Sequence, residues 1–404
     1  MNIKINKSSL SGTITIPPSK SAAHRALICA ALSFGDCKIS NIDMSDDITA
    51  TVDALKKLGC IVDFSDNTLE INATYMLSSR NVTIDCNESG STLRFLLPVA
   101  AIHGGVTFTG KGRLPDRPID IYYELFKAHN SGLSAKKLPV TVDGFLSAGK
   151  YELPGDVSSQ FITGLLFALP LLPGDSEIVL SSPLQSTGYV DLTLEVLEDF
   201  SVVIDKTKTG YYIKKNQHYT PRNYTVEGDW SSATFWLLAN YMGQNFTPSY
   251  TPVKIERLKC NSKQGDRLCE EIFKNLNKYT EIDASNIPDA VPAIIAAMTV
   301  HGGRITNAAR LRLKESDRIK TTAEGLIAMG IKAEETDDGL IIHAGKPKAG
   351  IINSHNDHRI AMAFSILAAF TDGESEIINA ECVRKSYPDF YKDLEKIGGL
   401  ITYA

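Results

Sequence analysis

A basic, hydroxyl-rich stretch near the start of the chain has the composition of an anion site. Residues 17–25 read Pro-Pro-Ser-Lys-Ser-Ala-Ala-His-Arg. The prolines cannot donate to a sheet ladder, so they end the strand-like run before them. Either serine can then cap an apolar helix that runs to Phe34. Unpaired N–H groups at a helix start already favour an anion, and the presence of Lys20 and Arg25 at that end predicts a ligand with several negative charges.

Helix-opening clusters of this kind recur along the chain. Each is rich in Ser, Asp or Gly and precedes a helix of small apolar residues, expected at 19–34, 89–103, 158–172, 231–242, 289–301 and 357–370. The first residues of these helices are 70, 69, 73, 58 and 68 positions apart. Such a regular spacing predicts an internal repeat.

More polar helices alternate with the apolar ones. We expect them at 46–58, 118–127, 189–200, 264–276, 315–329 and 388–397. Hairpins follow several of them, as at 60–64 with 68–72 and at 331–334 with 339–343. The unit is therefore βαβαββ, repeated about six times. A helix that is apolar all round is buried and an amphipathic one faces water, so an arrangement with helices inside and sheets outside fits this alternation better than a doubly wound sheet does.

The composition limits the classes of function. The 404 residues are 43% hydrophobic and 22% charged, with a formal net charge of −5. This balance disfavours a nucleic-acid or membrane-surface partner, so an anion site must be a local group of Lys and Arg. There is no apolar run of 18 residues and no signal-peptide pattern, and the seven cysteines include no C-x-x-C pair. These features predict a cytoplasmic protein with reduced thiols.

Nine short motifs carry most of the basic and acidic residues of interest. They are Pro17-Pro18-Ser19-Lys20-Ser21 with Arg25, Ser89-Gly90-Ser91-Thr92-Leu93-Arg94, Asp116-Arg117-Pro118-Ile119, Ser158-Ser159-Gln160-Phe161, Glu227-Gly228-Asp229-Trp230-Ser231-Ser232, Ile287-Pro288-Asp289-Ala290, Lys314-Glu315-Ser316-Asp317-Arg318, Asn356-Asp357-His358-Arg359 and Lys385-Ser386-Tyr387-Pro388-Asp389. In this order, over essentially the whole chain, they resemble the 5-enolpyruvylshikimate-3-phosphate (EPSP) synthase family, the 3-phosphoshikimate 1-carboxyvinyltransferases.

The resemblance implies a fold and its boundaries. It implies a two-domain inside-out α/β barrel, the enolpyruvyl transferase fold, with six βαβαββ repeats, three per domain. Residues 16–226 would form the N-terminal domain, and residues 1–15 with 227–404 a discontinuous C-terminal domain. In that family the active site lies between the domains.

The resemblance also implies a reaction and its binding residues. The family transfers the enolpyruvyl group of phosphoenolpyruvate (PEP) to the 5-hydroxyl of shikimate 3-phosphate and releases phosphate. Both substrates carry a phosphate and a carboxylate, which suits bidentate Arg and point-charge Lys. The implied shikimate 3-phosphate contacts are Lys20, Ser21, Arg25, Ser158, Ser159, Gln160, Ser186, Asp289 and Lys314. The implied PEP contacts are Lys20, Gly90, Arg117, Gln160, Arg318, Arg359 and Lys385.

The same resemblance names Asp289 as the proton acceptor and Glu315 as the proton donor. Glu315 lies between Lys314 and Arg318 in sequence, and nearby cations favour its ionised form, so Lys20 is an alternative donor. No cofactor and no metal site are expected, because the pair His355 and His358 has no further ligand beside it. We expect a monomer.

Departures and rivals complete the sequence-based picture. Glu88 and Arg310 stand where the family often has asparagine, and Ser91 where threonine is common, which bears on affinity for PEP and for analogues such as glyphosate. The nearest rival is UDP-N-acetylglucosamine enolpyruvyl transferase, which typically has a reactive cysteine in the loop that corresponds to residues 110–117. This loop has none. A non-catalytic ligand-binding relative is the other alternative.

Overall fold

The helices begin close to the residues that the capping pattern predicts. The structure, a computed structural model, describes residues 1–404. Its helices are α1 Lys20–Leu32, α2 Asp46–Lys57, α3 Gly90–Ala100, α4 Asp120–Ala128, α5 Ser159–Ala168, α6 Thr187–Asp199, α7 Trp230–Phe246, α8 Cys269–Asn275, α9 Val291–Ala297, α10 Arg318–Ala328, α11 His358–Ala369 and α12 Phe390–Lys396. None of them has the length and apolar character needed to cross a membrane.

The predicted alternation of buried and amphipathic helices is confirmed. Every residue of α11 is buried, and α1 is buried from Ala22 to Leu32. Helix α2 instead buries a face that includes Ile48, Thr51 and Leu55 and leaves its lysines exposed. The fully apolar helices therefore supply most of the core, and the amphipathic ones cover it.

The strands are short, as expected for a repeated hairpin unit. They are β1 Ile3–Asn6, β2 Thr13–Thr15, β3 Asp36–Ser40, β4 Ile61–Ser65, β5 Thr68–Asn72, β6 Val82–Asp85, β7 Val106–Thr109, β8 Ser131–Leu133, β9 Val140–Gly144, β10 Lys150–Leu153, β11 Ser176–Leu180, β12 Ile204–Lys206, β13 Gly210–Ile213, β14 Tyr224–Thr225, β15 Lys254–Glu256, β16 Thr280–Asp283, β17 Gly303–Thr306, β18 Ala333–Thr336, β19 Gly339–Ile342, β20 Ile351–Asn353, β21 Glu374–Ile378 and β22 Leu400–Tyr403.

The chain divides into two units, and one of them is Pro18–Glu227. It contains three four-stranded sheets with the orders β14-β3-β5-β4, β6-β7-β9-β8 and β10-β11-β13-β12. In each sheet the first two strands are parallel and the other pairs antiparallel. A parallel pair needs a crossover, and α3 and α5 supply it for β6–β7 and β10–β11.

The second unit combines Met1–Pro17 with Gly228–Ala404 and has its own apolar core. Two of its sheets follow the same plan, in the orders β16-β17-β19-β18 and β20-β21-β1-β22. The N-terminal strand β1 completes the second of these by pairing with β21 and β22.

The prediction of six complete βαβαββ repeats is wrong at one position. The remaining sheet of the second unit is only the parallel pair β15-β2. Helix α8 ends at Asn275 and β16 begins at Thr280. The residues between them are too few for the hairpin that closes each of the remaining repeats. The short spacing of 58 residues in the sequence falls at this repeat.

Candidate active site

The predicted residues of the unit Pro18–Glu227 lie at the starts of three buried helices. Lys20 opens α1, Gly90 opens α3 and Ser159 opens α5. A serine precedes each as N-cap, and its hydroxyl oxygen accepts a first-turn N–H at 3.2–3.4 Å. Several N–H groups at each helix start therefore stay available to an anion. We call Lys20, Arg25, Gly90, Arg94, Arg117 and Gln160 the N-terminal cluster.

A buried chain of neutral side chains ties two of these helix starts together. The Thr51 hydroxyl on α2 lies 2.8 Å from His24 Nδ1 and 2.7 Å from the Thr92 hydroxyl. Thr92 Oγ1 in turn donates to Ser89 Oγ, the cap of α3, at 2.7 Å. Burial lowers the pKa of His24 to about 3, so its ring is neutral at physiological pH. These hydrogen bonds from His24 to Ser89 align α1 with α3 without adding charge.

Lys20 and Arg25 are held in different ways. Lys20 Nζ lies 2.8 Å from Asp47 Oδ2, and both side chains are largely buried. Arg25 is 3% exposed and donates to the Thr193 hydroxyl and to the carbonyl oxygens of Ser21 and Tyr189 at 2.6–2.8 Å. Burial lowers the pKa of Arg25 to about 10, since its neighbours compensate little of its charge.

Gly90 and Arg117 are direct neighbours, although 27 positions separate them. A Cβ on Gly90 would stand 2.7 Å from Arg117 Nη1 and 2.9 Å from Cζ. Only glycine lets the guanidinium lie this close to the start of α3. An Arg and the free N–H groups of a helix start together make a site suited to a phosphate or carboxylate.

Arg94 belongs to this cluster, although no role was predicted for it. Arg94 Nη1 donates to Gln160 Oε1 at 2.7 Å, and Gln160 Nε2 donates to Ser91 Oγ at 3.1 Å. The guanidinium also lies 5.0 Å from the centre of the Phe161 ring. Arg94 thus orients Gln160. Its position at the end of the Ser89–Arg94 motif is the sequence feature from which this role could have been predicted.

Two further predicted residues lie near Arg25. The carbonyl oxygen of Ser21 accepts one of the Arg25 bonds. Ser186 is buried in the left-handed conformation, with φ of 58°, directly before α6, the helix that carries the Arg25 partners Tyr189 and Thr193. The backbone at Ser186 is strained for a non-glycine residue, which is a feature often found at binding sites.

In the unit Met1–Pro17 with Gly228–Ala404, the predicted residues meet around one aspartate. Asp289 Oδ1 lies 2.8 Å from Arg318 Nη1 and 3.6 Å from Lys314 Nζ. Asp289 Oδ2 lies 3.4 Å from Arg359 Nη2. We call Asp289, Lys314, Glu315, Arg318, Asp357 and Arg359 the C-terminal cluster.

Arg318 is the hub of the C-terminal cluster. It is 2% exposed and contacts three carboxylates at 2.8 Å, those of Asp289, Glu315 and Asp357. Asp357 is fully buried and is also the N-cap of α11, where it accepts the Arg359 N–H at 3.0 Å. The sequence suggested for Asp357 only a place at the start of a helix; the structure shows that it also binds the Arg318 guanidinium.

Opposing effects set the charges in this cluster. Burial alone would raise the pKa of Asp289, but Lys314, Arg359 and Arg318 hold it well below its usual range. Burial lowers the pKa of Lys314 to about 8 against the pull of Asp289. Burial would also lower the pKa of Arg318, yet Asp357, Glu315 and Asp289 keep it well above its usual value. Asp289 is therefore ionised, and Lys314 titrates near physiological pH.

The remaining predicted and departing residues have defined places. Lys385 is buried at the end of the 3₁₀ helix Ala380–Lys385. Arg310 Nη2 donates to the carbonyl oxygen of Ser285 at 2.5 Å. A Cβ on Gly112, in the loop before Arg117, would meet Glu88 Oε1, so the Glu88 carboxylate packs against that loop.

Known proteins similar to this chain match it over nearly its whole length. Residues 5–394 match the family model described as EPSP synthase (3-phosphoshikimate 1-carboxyvinyltransferase). The chain is 43% identical to the 3-phosphoshikimate 1-carboxyvinyltransferase of Clostridium kluyveri and 44% identical to that of Clostridium novyi, in each case over 99% of this chain and 98% of the relative. The fold is similar to that of an EPSP synthase from Acinetobacter baumannii, with a TM-score of 0.81 at 23% identity and full coverage of both chains. The chain belongs to the EPSP synthase (3-phosphoshikimate 1-carboxyvinyltransferase) family.

Proposed function

We propose that this protein transfers the enolpyruvyl group of PEP to the 5-hydroxyl of shikimate 3-phosphate and releases phosphate, the shikimate-pathway step toward chorismate and the aromatic amino acids. Membership of the family along nearly the full chain carries the proposal. The basic residues collected in the two clusters suit substrates with two phosphates and two carboxylates.

The finer fold is part of the same proposal. Each unit is the counterpart of one domain of an inside-out α/β barrel, divided near residues 16 and 226. Three complete repeats in one unit, and two complete and one shortened in the other, support it.

The binding roles follow from the residues already described. Shikimate 3-phosphate is bound by Lys20, Ser21, Arg25, Ser158, Ser159, Gln160, Ser186, Asp289 and Lys314. PEP is bound by Lys20, Gly90, Arg117, Gln160, Arg318, Arg359 and Lys385. The contact between Gly90 and Arg117 supports a PEP site with closely approaching N–H groups, and the bonds around Gln160 support its precise orientation.

Asp289 is the proposed acceptor of the hydroxyl proton. Its low pKa makes it a weak base while three cations surround it. Substrate anions that bind the same cations draw their charge away from Asp289, so its proton affinity rises when it is needed. A positioned base of this kind contributes roughly 10²–10⁴-fold to the rate.

For the proton donor, the contacts favour Lys20 over Glu315. The Glu315 carboxylate is paired with Arg318 at 2.8 Å, which stabilises its ionised, proton-free form. The Lys20 ammonium donates to Asp47 and retains further N–H protons for a substrate. Glu315 then orients Arg318 rather than delivering the proton.

A phosphate-release assay tests the function and its rivals. We expect phosphate only when PEP and shikimate 3-phosphate are both present, with each substrate alone as control. Release with UDP-N-acetylglucosamine in place of shikimate 3-phosphate would identify the rival transferase. Binding of both substrates without release would identify a non-catalytic relative. A cytoplasmic, monomeric enzyme without cofactor, metal or nucleic-acid partner stays a prediction.

A further inference from the structure

A buried carboxyl group interacts electrostatically with the C-terminal cluster and has no role in the proposed reaction. Asp266, in the 3₁₀ helix Gly265–Leu268, is 2% exposed. Its Oδ2 accepts a hydrogen bond from the Ser231 hydroxyl, and its Oδ1 has no hydrogen-bond partner. An unpartnered buried carboxyl oxygen costs free energy, so its retention calls for an explanation.

The segment that carries Asp266 is firmly attached to the start of α7. The Gln264 side chain accepts the Trp230 N–H at 3.0 Å and donates to the Gly228 carbonyl oxygen at 2.8 Å. These two bonds satisfy backbone groups at the start of α7. The position of Asp266 is therefore set by the fold.

One face of α7 connects Asp266 with the C-terminal cluster. Ser231 and Phe235 are four residues apart and so lie on the same face of the helix. Ser231 binds Asp266, while the Arg359 guanidinium lies 5.9 Å from the centre of the Phe235 ring. Arg359 in turn contacts Asp289. Asp266 and the Arg359–Asp289 pair thus pack against the same face of α7.

The surroundings of Asp266 place the protonation of its carboxyl group near neutral pH. Burial raises the pKa of Asp266 to about 7, and the negative charges of Asp289 and of Asp229, the cap of α7, act in the same direction. The Ser231 hydrogen bond and Arg359 on α11 oppose them. On its own segment the next groups are Arg267 and the buried Cys269.

We propose that Asp266 is a positioning residue for the enolpyruvyl transfer and that its carboxylate sets how strongly Asp289 accepts a proton. Ionised Asp266 attracts Arg359 and repels negative charge on Asp289, so it strengthens Asp289 as a base. Neutral Asp266 leaves Asp289 to its three cations and weakens it. The inference rests on the proposed function, because Asp289 has this role only in that reaction.

The test compares the pH profiles of kcat in four proteins. In the unmodified enzyme we expect kcat to fall about tenfold to a lower plateau as the pH falls through 7. Asp266→Asn keeps the size of the side chain and removes the charge, so it should remain on the lower plateau at every pH. Ser231→Ala removes the hydrogen bond that stabilises the carboxylate, so the step should move to higher pH.

Ser232→Ala is the matched control. Ser232 is the buried neighbour of Ser231, but its hydroxyl donates to Asp229 at 2.6 Å and not to Asp266. The step should stay in place in this variant. An Asp266→Asn enzyme with the kcat and profile of the unmodified protein, or serine variants that shift the step equally, would overturn the inference.

A second readout does not need turnover. In protein labelled with ¹³C at the aspartate carboxyl groups, one resonance should titrate near pH 7, move to higher pH in Ser231→Ala and vanish in Asp266→Asn. Its absence contradicts the inference even if Asp266→Asn fails to fold, because the serine variants remain. An unmodified enzyme that releases no phosphate would contradict the proposed function instead, and the resonance would still decide the protonation of Asp266.

Discussion

Arg25 and Arg318 show two ways of holding a buried arginine. They are equally buried, at 3% and 2% exposure. Arg25 donates to a hydroxyl and two carbonyl oxygens, and its pKa is lowered to about 10 by burial. Arg318 contacts three carboxylates, which outweigh burial and hold its pKa well above the usual value. Neutral oxygens position a cation without compensating its charge, so the charge remains available to bind an anionic ligand. Carboxylates position the cation and also compensate its charge.

The same contrast extends to the two clusters. In the N-terminal cluster, alignment of the helices depends on the hydroxyl chain from His24 to Ser89, whose bonds contribute about 1 kcal/mol each. In the C-terminal cluster, the charges hold one another, so the loss of one partner leaves others buried without compensation. The two clusters should therefore differ in what a single substitution costs.

The largest effect is expected from the hub of the C-terminal cluster. Arg318→Met leaves Asp357 buried without its cation and should lower the free energy of unfolding by about 3–5 kcal/mol, measured by urea denaturation. Arg312→Met is the control, since Arg312 pairs with Asp317 and Glu335 but is 29% exposed. It should cost no more than about 1 kcal/mol. Similar losses in the two variants would remove the distinction between the clusters.

Neutralising the carboxylates should affect turnover more than binding. Asp289→Asn and Glu315→Gln should each lower kcat at least about 100-fold, the first by removing the base and the second by releasing Arg318. Calorimetry should show that both substrates still bind. Glu335→Gln, which changes an exposed partner of Arg312, serves as the control. Near-normal turnover in either variant would exclude its assigned role.

Breaking the hydrogen-bonded chain from His24 to Ser89 should lower the free energy of unfolding less than removing Arg318 does. Thr51→Val preserves shape but removes the hydrogen-bond partner of His24 Nδ1 and one of the two partners of the Thr92 hydroxyl, at a cost of about 1–3 kcal/mol in unfolding free energy. Thr49→Val on the same helix is the comparison and should cost less, because Thr49 lies outside the chain. Equal costs would show that the chain does not stabilise the alignment of α1 and α3.

Gly90→Ala should weaken ligand binding with little loss of stability. The new methyl group displaces the flexible end of Arg117, so the KM for PEP should rise roughly tenfold, about 1.4 kcal/mol, and glyphosate should bind more weakly. Gly132→Ala is the matched control, since nothing lies within 4 Å of its Cβ position. Unchanged inhibition by glyphosate in Gly90→Ala would contradict the placement of Gly90 in the PEP site.

The smallest effect is expected from the titration of Lys314. Its pKa of about 8 means that half of the molecules carry the ammonium at pH 8 and most carry it at pH 7. An anion prefers the charged form, so the KM for shikimate 3-phosphate should be about twofold higher at pH 8 than at pH 7. Lys314→Arg should abolish this rise. A KM that falls with pH would have the wrong sign for the proposed contact.

Local sequence signals predicted the helix starts well. Ser19, Ser89, Ser158 and Asp357 are the N-caps of four buried helices, as their opening clusters indicated. Helix α9 differs: it begins at Val291, two residues after Asp289, with Pro292 in its first turn. The Asp289 carboxylate there binds cations instead of capping the helix. The shortened repeat was also visible in the spacing of 58 residues, but the regularity of the other four spacings obscured it.

The sequence alone determined the alternation of buried and amphipathic helices and the residue types gathered at the helix starts, because periodicity and capping act over a few neighbouring positions. The regular spacing of the helix-opening clusters indicated the repeat, and the order of the nine motifs indicated the family. Only the tertiary structure decided which partner each charge has. Arg25 meets Thr193, which is 168 positions away, and Asp289 meets Arg359, which is 70 away. The proposed role of Asp266 depends on α7, which binds Asp266 through Ser231 and carries the Phe235 ring beside Arg359. Hydrogen bonds and desolvation depend on distance and burial in space, and spacing along the chain does not contain these quantities.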